Sequence, residues 1–256
     1  MNAADEFYIG WSGRTPAGYA RWSRLAASVL IVSALVGGLT LLGAQRDPGP
    51  GTWDPNATVT LVGRVRADPG PILLIDAVEG DGRVPARAAL LVSTGKFGAA
   101  GRVANMTGDP VRVRGTLINR GGFVVIELVD GAEAVTAASS AGNPEWPVED
   151  LGIRTVRGEI VDPKCYSGAM KPGEGKVHRA CAVRCLSGGI TPVLVGRDES
   201  GLVGGFVLAG PRGEAINQRV LEFVADPIVV AGRVERHGGP DGVLVMRIDP
   251  AAIRRQ

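Results

Sequence analysis

The chain has 256 residues, 45% of them hydrophobic, enough to bury a sizeable core in one or two globular units. Its 28 basic and 26 acidic residues leave a net charge of +2, far from the clustered positive field that a phosphate backbone requires, so nucleic acid is not expected as a partner. Aromatic residues make up only 5%, while 38 Gly and 17 Pro supply frequent chain reversals, a balance that favours short strands and turns over long helices.

Residues 1–24 read as a polar leader, with Arg14, Arg21 and Arg24 close to the uncharged run Leu25 to Ala44 that follows. At ~1.5 Å rise per residue that run can cross a hydrocarbon core of about 30 Å, and it is read as a transmembrane helix spanning 25–44. A cleaved secretory signal is the alternative, but the run exceeds a normal signal core, and Leu42-Gly43-Ala44 lacks a clean cleavage pattern. Three arginines before the span against Arg46 after it place the N-terminus in the cytoplasm of a bacterium and the rest in the periplasm. The expected location is therefore the inner membrane, crossed once, with the lipid bilayer as one partner. Gly37-Gly38 within the span lowers helix propensity and also allows a second helix to approach closely.

Residues 45–56, rich in Pro and Gly, read as a stiff linker. Strand-like runs follow at 57–66, 71–77, 86–93, 111–117 and 123–129, separated by polar turns, and suggest a small barrel of the OB type as a first periplasmic domain over 57–138. A second linker is read at 139–152. A second periplasmic β domain is expected over 153–256, with strands at 153–162, 190–197, 202–209, 228–236 and 243–249 and a short helix in 213–224 carrying Ile216, Val220 and Phe223 at helical spacing. Residues 111–128 echo 229–248, and 61–69 echo 155–163, which argues for two tandem copies of one β unit. The predicted fold class is thus mainly β: one N-terminal transmembrane helix, then two small OB-like barrels.

Between the first two strands of the second domain the β pattern lapses, and all three cysteines lie in this stretch. A loop of that length is usually functional or cross-linked. A short helix over VHRACAVRCL would set His178, Cys181 and Cys185 at i, i+3 and i+7, on one side, with Cys165 folding back from the preceding strand. Cys165, His178, Cys181 and Cys185 are the candidate ligands of a tetrahedral metal site, and zinc or copper(I) suits that donor set. The competing reading is a disulfide from Cys165 to Cys181 or Cys185, leaving one thiol over; inert thiols are the third. The spacing is not that of covalent haem attachment. Asp162, Lys164 and Lys176 are candidate acid–base groups with no nucleophile to serve, Met170 is a further soft donor, and His237, in the turn RHGGPDG, reads as solvent-exposed.

The motifs Asp162-x-Lys164-Cys165, Gly175-Lys176-x-His178 and Cys181-Ala182-x-x-Cys185-x-x-Gly188-Gly189, with the leader DEFYIGW at 5–11, resemble a group of uncharacterised bacterial proteins with a single membrane anchor. The resemblance covers the edge of the anchor and about forty residues of the second domain. It implies a membrane-tethered protein found near redox systems, with no established catalytic activity.

No complete catalytic constellation occurs, so the chain is not expected to be an enzyme, with thiol redox activity as the one open exception. The expected function is a non-catalytic accessory subunit of a larger membrane complex of respiratory or photosynthetic electron transfer, its partner an integral membrane assembly. The alternative is a periplasmic metal- or haem-handling or redox protein that uses the Cys/His cluster. Oligonucleotide binding fails for want of stacking aromatics, since Phe97 and Phe123 alone lie between Ala57 and Val129.

Overall fold

The computed structural model describes residues 15–44, 51–80, 83–139 and 146–256. It divides into two units, Met1–Asp47 and Pro48–Gln256. The first holds α1 (Ala17–Ala44), a 28-residue helix with no buried residue and a mean hydropathy of 2.3 over its most apolar window, long and apolar enough to cross a membrane. The helix begins eight positions earlier than the uncharged run: Pro16 O accepts the Ala20 N–H, and Ala17 to Arg24 carry the helix on from there. Tyr19 and Trp22, three apart on one face, bring their ring centroids to 6.3 Å. Arg14, the DEFYIGW motif and Arg46 lie outside the described residues.

The second unit is β-rich. Its first half contains β1 (Thr52–Arg66), β2 (Ile72–Glu79), β3 (Ala88–Val92), α2 (Ala100–Val103), β4 (Pro110–Arg120), β5 (Phe123–Leu128) and β6 (Val135–Ala137). These strands pair in the order β1-β2-β3-β5-β4-β6, and β4 also pairs with β1. The second half contains β7 (Val148–Val161), α3 (Arg179–Ser187), β8 (Val193–Asp198), β9 (Val203–Ala209), α4 (Asn217–Val220), β10 (Pro227–His237), β11 (Val243–Arg247) and β12 (Arg254–Arg255). Here the order is β11-β9-β8-β7-β10-β12, and the β10–β11 pairing closes β7 to β11 into a five-stranded barrel.

Alternation along the strands explains where the apolar residues go. In β4, Val111 and Val113 point inward while Arg112 and Arg114 face out. The runs ILLI of β2 and ALLV of β3 do not alternate, because both of their faces are covered. Leu73, Ile75 and Leu91 fill the core of the first half, whereas Ile72, Leu90 and Val92 join Ile118 and Val125 in a seam against Val161, Val193, Val207 and Val245 of the second half. Each such side chain, when fully buried, contributes roughly 1.5–3 kcal/mol, so the halves are held by a shared core.

Both linker readings need correction. Residues 52–56 belong to β1, where Thr52 and Trp53 pair with Asn119 and Ile118. Pro55 is tolerated because it falls where the register shifts between Trp53 and Thr58, leaving no ladder bond for it to remove. Likewise β7 starts at Val148, opposite His237, inside the stretch read as the second linker. Residues 140–145 lie outside the described residues. The helix expected in 213–224 is shorter than its pattern: α4 gives way to a 3-10 turn at Leu221–Phe223, with Ile216 and Val220 buried and Phe223 only partly so.

Candidate functional site

The thiols meet on the seam. Strand β7 ends at Val161, and the buried Asp162 that follows accepts the Cys165 backbone N–H at 2.9 Å through Oδ1, folding the chain into one π-helical turn over Cys165–Ala169. Its other oxygen, Oδ2, stands 3.3 Å from His178 Nε2. One carboxylate therefore orients both a cysteine and a histidine. Lys164, between Asp162 and Cys165 in sequence, turns away: its ammonium pairs with Glu127 at 2.9 Å and donates to Ser93 O and Gly95 O, tying this turn to the first half.

A 3-10 turn at Lys176–His178 leads into α3, which carries Cys181 and Cys185 one turn apart. The helix ends at Gly188, and Asn217 Nδ2 donates to Leu186 O in its last turn and to Ile190 O beyond it. The two glycines that close the motif have separate reasons: a Cβ on Gly188 would lie 1.9 Å from Lys96 O, and Gly189 has a φ of +94°. Gly98, facing them, donates its N–H to Gly188 O at 3.0 Å. This contact brings the loop 93–98 of the first half over the end of α3.

Three of the donors named from sequence, His178, Cys181 and Cys185, gather around the fourth, Cys165. Cys165, His178 and Cys181 offer ligand atoms within 4.8 Å of one another, as do Asp162, Cys165 and Cys185, so Cys165 belongs to both sets. Asp162, expected only as an acid–base group, thus joins the donors. Met170 is exposed, with its sulfur 3.7 Å from Cys181 Sγ. Lys176 is elsewhere engaged, paired with Asp226. All three cysteines are free thiols.

The residue that sequence reasoning missed is Lys96. Its Nζ lies 2.7 Å from Cys181 Sγ and 4.0 Å from Cys185 Sγ. The contact with Cys181 raises the lysine pKa, and the cysteine charges add to this. Between the two buried thiols, the hydrogen bond of Cys165 to Cys185 pushes Cys165 up, with burial acting in the same direction, and holds Cys185 below the ordinary thiol range. The sequence separation of 85 between Lys96 and Cys181 hides this pairing from any local motif.

His237 is a second correction. It is 3% exposed, because β10 carries it into the seam at the far end of its pairing with β7. Trp146 Nε1 donates to its Nδ1 at 2.9 Å, Arg66 Nη1 lies 3.3 Å from the same nitrogen, and Nε2 is 3.1 Å from Glu235 Oε2. An indole N–H only donates, so Nδ1 accepts and the ring proton sits on Nε2 toward Glu235. Burial is the main reason its pKa falls below the usual histidine value, and the Arg66 charge contributes in the same sense.

The donor set at Cys165 is soft: sulfur and imidazole predominate, with a single carboxylate, which is the chemistry of zinc and copper(I) sites. His178 meets Asp162 through Nε2, the carboxylate–histidine arrangement that orients a ligating imidazole. Comparison with protein-family models and with curated proteins finds no match to this chain.

Proposed function

We propose that this protein holds one thiophilic metal ion, zinc or copper(I), outside a membrane to which α1 tethers it. The observation that carries the reading is the convergence of the two ligand triads on Cys165. Cys165, Cys181, Cys185 and His178 supply the bonds, Asp162 orients two of them, and Lys96 offsets the negative charge of the thiolates. Metal would supply a fixed positive centre there, and its binding displaces thiol protons. The test is metal analysis of the reduced full-length protein in mild detergent after separate loading with Zn2+ and Cu+. About one ion per chain, released on changing Cys165 to Ser, is the expected result for a site of several protein ligands. Wild-type protein without bound metal, or a Cys165→Ser variant that retains it, sinks the reading.

The architectural side of the proposal is a pair of tandem OB-type barrels. It is supported by the same pairing order in both halves and by a parallel partner for the last barrel strand in each, β3 with β5 and β9 with β11. Gly115 and Gly232, equivalent in the internal sequence match, also share an environment, since a Cβ on either would lie 2.4 Å from a carbonyl oxygen of the neighbouring strand. The orientation, N-terminus in the cytoplasm and β unit in the periplasm, rests on the arginines before the span.

A second reading, an accessory subunit of a membrane redox complex, is favoured by α1. Its apolar surface is exposed throughout, and space is open around Gly37 and Gly38, where a partner helix could approach. Co-purification at fixed ratio with integral redox subunits from native membranes is expected on that reading. Recovery of the protein alone removes it.

A further inference from the structure

Lys96 has an unusual set of neighbours. Among the described residues no carboxylate pairs with it; the contacts of its ammonium are sulfur atoms, Cys181 at 2.7 Å and Cys185 at 4.0 Å. The shorter distance lies inside the ~2.9–3.0 Å typical of N–H···O bonds, although sulfur is the larger atom. The lysine is also held in place. Ser93 N–H donates to Phe97 O, Ser93 Oγ to Gly98 O and Gly98 N–H to Gly188 O, while Lys164 grips Gly95 O and the Lys96 carbonyl rests against Gly188. Cys181 is the one partly exposed thiol of the three, open to a small oxidant that the buried Cys165 and Cys185 exclude.

We propose that Lys96 and Cys181 form an oxidative covalent cross-link in which one oxygen atom bridges the lysine nitrogen and the cysteine sulfur. The oxidant is dioxygen. One of its atoms becomes the bridge, forming an S–O and an N–O bond, and the other leaves as water with two of the three hydrogens that the thiol and amine together carry. Sulfur and nitrogen each give up two electrons, and the four are taken by dioxygen as its O–O bond breaks. Two equivalents of a dithiol return the four electrons, restoring thiol and amine and releasing the bridging oxygen as water. The link joins the two halves of the second unit across the seam and withdraws Cys181 from the donor set. It needs no bound metal and does not rest on the metal-binding proposal.

The test is mass spectrometry of the full-length protein, stripped of metal with a chelator, held in air-saturated buffer and digested without reduction. The expected product joins the peptide containing Lys96 to the one containing Cys181, with a gain of one oxygen and a loss of two hydrogens. It is absent from Lys96→Arg, which keeps the charge, and from Cys181→Ser, and dithiothreitol abolishes it. Recovery of wild-type Cys181 as a disulfide, as a sulfinic acid or as a free thiol beside an unmodified Lys96 overturns the proposal. The wild-type spectrum decides the question even where a variant fails to fold. Because the metal count is made on reduced protein and the cross-link sought in chelated protein, failure of one leaves the other standing.

Discussion

The two histidines of this chain lie on the same seam and do opposite things. His178 and His237 are both buried, yet among the described residues the imidazole of His178 meets one hydrogen-bonding partner, Asp162, and stands among thiols, whereas His237 is occupied on both nitrogens by Trp146, Arg66 and Glu235. An imidazole oriented by a carboxylate and standing among soft donors suits a ligand. One saturated by protein partners is a structural tie, and burial alone does not separate the two.

Changing Cys165 to Ser breaks this contrast most severely. Because both triads need that sulfur, metal affinity is expected to fall by more than the ~10–100-fold typical of altering an outer-shell partner; competition with a chromophoric chelator measures it. Asp162→Asn sharpens the contrast, since it keeps the shape but removes the charge that orients His178 and Cys165. A loss of about 10–100-fold in metal affinity is expected, and an unchanged affinity means that the carboxylate serves the fold alone.

Gly188→Ala probes the same end of the seam through its packing. The added methyl must displace the Lys96 carbonyl, which is backbone, so a loss of about 1–3 kcal/mol is expected in urea unfolding. The part of the pH response that His237 contributes should stay as in wild type.

The smallest effect is that pH response. The unfolded chain takes up a proton at His237 near ~6.5, while the folded chain resists to a lower pH. Stability from this group is therefore complete above the unfolded value and is lost as pH falls from there through the folded value. A proton on Nδ1 would face the Trp146 and Arg66 donors, with Arg247 beside Glu235 adding positive charge; only Glu235 favours it. In melts between pH 8 and pH 5, His237→Gln, whose carbonyl can still accept from Trp146, should show a shallower decline than wild type. Parallel declines would remove His237 as the source.

Most strands were legible because Val, Leu and Ile at alternate positions, or in short unbroken runs, leave a strand as the economical choice. The thiol cluster was legible for a similar reason, since α3 carries Cys181 and Cys185 one turn apart and the 3-10 turn before it ends at His178, all within one local stretch. What sequence hid depends on distant chain. Lys96 reaches the sulfurs because Gly98 and Gly188 let two backbones touch, and nothing near Lys96 in sequence announces that. His237 sits beside a Gly-rich turn that reads as exposed until Trp146, drawn from an apparent linker, covers it. The spacer reading of 52–56 failed because Pro and Gly content describes a strand that passes through a bulge as well as one that never forms.

Strands β2 and β3, covered on both faces, also limit how the molecule can be dissected. Cutting between the halves would bare Ile72, Leu90, Val92 and Ile118 on one fragment and Val193, Val207 and Val245 on the other, each an apolar strip on a sheet surface with water as its new neighbour. Such fragments would be sticky rather than independent. A soluble version should therefore be trimmed only ahead of Pro48 and kept whole from there to Gln256.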